Sequence, residues 1–123
     1  MTYRVLTAGV LALAIFAVAQ AAPAAPERKV VVVVDAAASR NPAVLEEARA
    51  AVARAGSEAQ LRVPRTSTEQ LSVTHYAAAR GYDLVVGVGL DDRVAVRPVA
   101  RKYPHTQFLA ARPGEIASAT ESP

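Results

Sequence analysis

Between residues 29 and 111, short apolar runs alternate with stretches whose apolar positions recur every three or four residues. Residues 29–34 form a continuous β-branched run led by Lys29, as expected of a strand covered on both faces. Asp35, Ala36, Ala37, Ala38, Ser39 and Arg40 lead away from it. Asn41 stands just before Pro42, an N-cap followed by proline at the first helical position. Val44, Leu45, Ala48, Val52 and Ala55 then fall at helical spacing, with Glu46, Glu47, Arg49 and Arg54 mostly opposite and Gly56 as the stop. Residues 59–63 read as a second, more amphipathic strand, an edge strand ended by Pro64.

A second helix is expected over residues 67–80. Thr66 with Glu69 and Ser67 with Gln70 both satisfy the capping-box pattern, so either residue can open it. Gly81 closes it, and residues 83–88, with Leu84, Val85, Val86 and Val88, make the third and most deeply buried strand. Asp91 or Asp92 caps a third helix running to Tyr103. Pro98 removes a backbone donor inside that pattern and predicts a kink or a late start. Residues 107–111 form a fourth, short strand. Residues 113–123 are polar, proline-bounded and without periodicity, which reads as a flexible tail.

Strand–helix alternation at this spacing implies right-handed βαβ units. The expected fold is α/β: a three-layer αβα unit around a four-stranded parallel sheet in the order 2-1-3-4. In such sheets ligands bind beyond the carboxyl ends of the strands, at the switch point between strands one and three. Two loops meet there, residues 35–41 and 87–92, with Arg112 after the fourth strand. The candidate ligand-binding residues are therefore Asp35, Ser39, Arg40, Asn41, Gly87, Gly89, Asp91 and Arg112.

Residues 1–4 supply a short basic start, 5–18 an almost unbroken apolar run, and Ala19-Gln20-Ala21 a small-x-small cleavage pattern. Residues 1–21 are read as a signal peptide and 22–28 as a proline-broken linker. The alternative is an uncleaved membrane anchor, though a spanning helix needs about 20 apolar residues. The implied location is the periplasm, the extracellular space or the cell envelope. With no cysteine the chain forms no disulfide and offers no thiol for lipid attachment.

Charge changes this picture little. The net charge of +3 comes from dispersed arginines interleaved with acids, not from a basic stripe, and aromatic residues are 5% with no tryptophan, so nucleic acid is not the expected partner. Gly87-x-Gly89 lacks the third glycine of a dinucleotide turn, since Asp92 stands there. Asp91-Asp92 could chelate a cation, yet acids at a helix N-terminus are ordinary dipole partners. His75, placed near the apolar face of the second helix, and His105 lack cysteine partners for zinc. No nucleophile-elbow sequence surrounds Ser39. No catalytic role, metal or cofactor is expected.

The run Gly81-Tyr82-Asp83-Leu84-Val85-Val86-Gly87-Val88-Gly89, followed by Ala100-Arg101-Lys102-Tyr103-Pro104, resembles the first lobe of the basic membrane protein family. These are the purine-nucleoside-receptor-like solute-binding proteins of bacterial ABC importers. The resemblance spans about residues 29–112 and is most specific over 79–108. It implies a type I periplasmic-binding-protein-like half-lobe, a small polar solute such as a nucleoside as ligand, and an ABC permease as partner. The chain departs from the family at the ligand-reading loop. Ala36 and Ala37 stand at glycine positions, Asn41 at an aspartate position and Ala43-Val44-Leu45 at Ser-Phe-Asn positions, while Arg112 replaces an aspartate. Family members also have two lobes and are mostly lipoproteins. The resemblance thus describes a truncated lobe over 29–112. The alternatives are an interaction module that kept the fold and pairs through an open sheet edge, with itself or a partner, and a non-functional gene fragment.

Overall fold

The computed structural model describes residues 28–123; the expected signal peptide and nearly all of the linker lie outside the described residues. The strands are β1 (Val30–Val34), β2 (Gln60–Arg62), β3 (Leu84–Val88) and β4 (Gln107–Ala110). They form one parallel sheet in the order β2-β1-β3-β4, the order the alternation predicts. Val30 lies opposite Leu84 and Val34 opposite Val88, while Leu84 and Gly87 face Gln107 and Ala110.

Every residue of β1 and β3 is buried, because both strands are central and both sheet faces are covered. Val30, Val32, Val34, Leu84, Val86 and Val88 face α2 (Pro42–Ala55) through Val44, Ala48 and Ala51, together with Ile116. Val31, Val33 and Val85 face the other way, against Ala77 of α3 (Ser67–Ala79), Tyr82 and Leu90. A strand turned by one residue would exchange these two sets, so the register is strongly specified. Each fully buried valine or leucine contributes about 1.5–3 kcal/mol of transfer free energy.

The caps are those the sequence offers. Asn41 Oδ1 accepts from the Ala43 N–H at 3.0 Å. Thr66, not Ser67, opens α3: its Oγ1 accepts from the Glu69 N–H at 3.1 Å, and Glu69 Oε2 reaches back to the Arg65 N–H at 2.6 Å. Pro98 sits in the first turn of α4 (Arg97–Lys102), where its missing donor costs least. The residues between Asp91 and α4 wind as one π-helical turn, Asp92–Val96, in which the Arg97 N–H donates to Asp92 O. Thr74 Oγ1 pins that turn to α3, donating to Ala95 O at 2.6 Å in a buried position.

Two segments correct the sequence reading. Residues after Asp35 form a single helical turn, α1 (Ala36–Ser39). The expected flexible tail over 113–123 instead carries α5 (Ile116–Thr120), and Ile116 is 0% exposed. Its first turn is held by Glu47 of α2, whose Oε1 accepts from the Gly114 N–H at 2.7 Å and Oε2 from the Ile116 N–H at 3.0 Å. The partner of this segment lies far back in the chain, beyond the reach of local periodicity. Arg28 Nη1 donates to Ser122 O, so the two ends of the described unit also meet.

Candidate functional site

Where β1 and β3 end side by side, their loops touch as the switch-point argument requires. The Asp35 N–H donates to Val88 O at 3.0 Å, and Asp35 Oδ1 accepts from the Ala38 N–H at 2.8 Å, capping α1. Gly89 turns with φ of 77° directly against this carboxylate; a Cβ there would stand 2.6 Å from Asp35 Oδ1. Gly87 is bare for a different reason. Leu90 folds back over it, and a Cβ would meet Leu90 Cδ1 at 2.7 Å.

Beside this junction a hollow of about 480 Å³ runs along β3 and β4, from Val85 and Phe108 to the carboxyl ends of both strands. Gly87 and Gly89 line it with Leu90, Asp92, Val96 and Phe108, and Val85 and residues 109–111 complete the wall. The surface is mainly apolar and backbone. Its ionisable group is Asp92, whose Oδ2 lies 2.5 Å from Arg97 Nε in an exposed ion pair. The π-helical turn places both Asp92 and Val96 on this wall.

Of the residues singled out from sequence, Gly87 and Gly89 line the hollow and Asp35 abuts Gly89. The other polar candidates are bound into local structure. Ser39 Oγ donates to Ala36 O at 2.8 Å. Asn41 caps α2. Asp91 Oδ1 accepts from the Arg93 and Val94 N–H groups at 3.0 and 3.2 Å, while its own N–H donates to Gln70 Oε1 at 2.9 Å. Arg40 and Arg112 are exposed, and the Arg112 N–H donates to Glu115 Oε1. Leu90, Val96 and Phe108 belong to the hollow but carry no chemical signature, only apolar positions next to strand ends. Asp92 was visible as a helix-terminal acid.

His75 is exposed, contrary to its expected apolar placement, and packs edge-on to Tyr103 with ring centroids 5.4 Å apart. Among the described residues, no group of three or more His, Cys, Asp or Glu side chains is placed to hold a metal ion. No helix there is long and apolar enough to cross a membrane.

Among solved structures the chain is similar to one described as "putative lipoprotein from Peptoclostridium difficile 630 (fragment)", with a TM-score of 0.55 at 19% identity, covering 75% of this chain and 90% of that one. At that identity the likeness carries the fold, an α/β unit of the same kind. No family model matches the sequence, the basic membrane protein family included, and no curated protein matches it.

Proposed function

We propose that the chain is an exported, solute-binding-protein-like lobe that takes a small solute in the hollow along β3 and β4. The hollow itself carries this reading. It lies over β3 and β4, next to the β1–β3 switch point at which parallel α/β sheets bind ligands, and its size suits a small molecule. A planar group can lie against the Phe108 ring and the apolar Leu90 and Val96 side chains, and Asp92 can accept a hydrogen bond from a hydroxyl or amine at the rim. A nucleoside has both features. Export is supported by the leader pattern over residues 1–21 and by the lipoprotein description of the Peptoclostridium structure. An ABC permease would then be the partner, and no catalysis is assigned.

Calorimetric titration of the chain with nucleosides and small polar solutes tests this. Saturable binding that weakens on Phe108→Ala and Asp92→Asn is the expected result. No heat with any solute up to about 1 mM, the weak end of small-ligand affinity, overturns it. A second reading, an interaction module without transport, is favoured by a separate observation: Asp35, Ser39, Asn41 and Asp91 use side-chain oxygens to hold local backbone.

A further inference from the structure

The two edges of the sheet differ in chemistry. β2 has three residues, carries Arg62, follows Glu58 and is stopped by Pro64; these are the devices that keep an edge from pairing. β4 is one residue longer, and residues 106–111 contain neither a charge nor a proline; those devices begin only beyond that run, at Pro104 and Arg112. The Gln107 N–H donates to Asp83 O and the Ala111 N–H to Gly87 O, each at 2.9 Å. The alternation of a parallel ladder therefore turns the backbone groups of Phe108 and Ala110 away from β3, toward the open edge.

We propose that β4 is a self-pairing edge, on which two copies join antiparallel about Leu109 and each lays Phe108 across the open side of the other's hollow. Hydrogen-bond supply selects this register. Centring the two-fold on Phe108 would require the Thr106 N–H, which already donates to Tyr103 O. Centring it on Ala110 would require the Arg112 N–H, which donates to Glu115 Oε1. Centring on Leu109 uses only the outward groups of Phe108 and Ala110, each facing the other residue of the partner and exchanging both N–H···O bonds.

Side chains fit the same register. Opposed residues in an antiparallel pair share a face, so the large Phe108 of one copy meets the small, exposed Ala110 of the other. Ala110 in turn neighbours Gly87 across β4–β3, and both line the hollow. The partner's ring thus extends a row that is glycine and alanine within one copy. Arg112 of one copy falls opposite Thr106 of the other, so no like charges face each other. The pairing stands without the ligand reading; only closure of the site by the partner's Phe108 rests on it.

A four-residue strand makes a small interface of the transient class, so the test spans concentration. In sedimentation velocity of the full chain, the average mass should rise toward twice the monomer over about a hundredfold concentration range. Ala110→Glu should hold it at the monomer with an unchanged circular dichroism spectrum. The absence of native cysteine gives a second measurement that does not depend on that variant. Leu109→Cys places two thiols across a non-hydrogen-bonded pair with Cα atoms about 4.5 Å apart, within disulfide reach. Gln107→Cys separates them by about 13 Å. Mild oxidation should cross-link the former at least about tenfold faster. A monomer at all concentrations, association indifferent to Ala110→Glu, or equal cross-linking at both positions overturns the proposal. Ligand titration below and above the dimerisation range separates a failed site from a failed interface.

Discussion

Replacing Gly89 by alanine separates two costs that the fold superimposes at one position. The first is backbone conformation. Gly89 has φ of 77°, where a Cβ costs about 1–2 kcal/mol. The second is the neighbour: the new methyl would stand 2.6 Å from Asp35 Oδ1. The carboxylate must move and surrender its 2.8 Å bond from the Ala38 N–H, a lost cap worth about 1 kcal/mol. Gly89→Ala should therefore destabilise by about 2–3 kcal/mol. Gly81→Ala is the control, with φ of 79° and nothing within 4 Å of the added carbon. It should cost only the conformational part, about 1–2 kcal/mol. The entropy lost from the unfolded chain is the same in both and cancels. Urea denaturation at matched slopes measures the difference. Asp35→Ala should cost about 1 kcal/mol alone and almost nothing in the Gly89→Ala background, where the cap is already broken. Equal costs for the two glycine variants, or full additivity with Asp35→Ala, would refute the reasoning.

Two further outcomes follow from buried or bridging groups. Glu47→Ala removes the acceptor of both the Gly114 and Ile116 N–H groups; it should cost about 2–3 kcal/mol and speed hydrogen exchange in residues 113–123 far more than in β1. Tyr82 is buried, and this desolvation, with smaller contributions from Tyr76 and Glu58, raises its phenol above the ordinary value. The fold thus favours the neutral phenol: its contribution is complete below the unfolded-state pKa of about 10 and is lost as pH rises through the higher folded value. Alkaline denaturation should accordingly be shallower in Tyr82→Phe than in the wild type.

Much of the scaffold was legible because its causes are local. Five consecutive valines, Asn41-Pro42, and Thr66 with Glu69 each announce an element within a few residues. Sheet order followed from chirality and alternation. What escaped depends on distant partners. Ile116 is a core residue only because α2 offers Val44, Ala48 and the Glu47 carboxylate. The π-helical turn is tied to Thr74, which reaches Ala95 from another helix, and no spacing in residues 91–97 reports it. The hollow was half visible. Gly87 and Gly89 mark its floor in the sequence, but Leu90, Val96 and Phe108 become neighbours only when β3 and β4 lie side by side. Asp35, Asn41 and Asp91 carried a double meaning, since the oxygens that could read a ligand are the same ones that cap a helix.

Central placement of Val30–Val34 also bears on how the chain must be handled before it folds. An uncharged five-residue valine run without proline has the composition of a cross-β segment. Both strands that cover it, β2 and β3, come later in the chain, so it stays bare until they arrive. Arg28 and Lys29 before it and Asp35 after it are the flanking charges that restrain self-stacking of such a run. Asp35 is thus a gatekeeper against aggregation in the unfolded chain before it is a cap in the folded one.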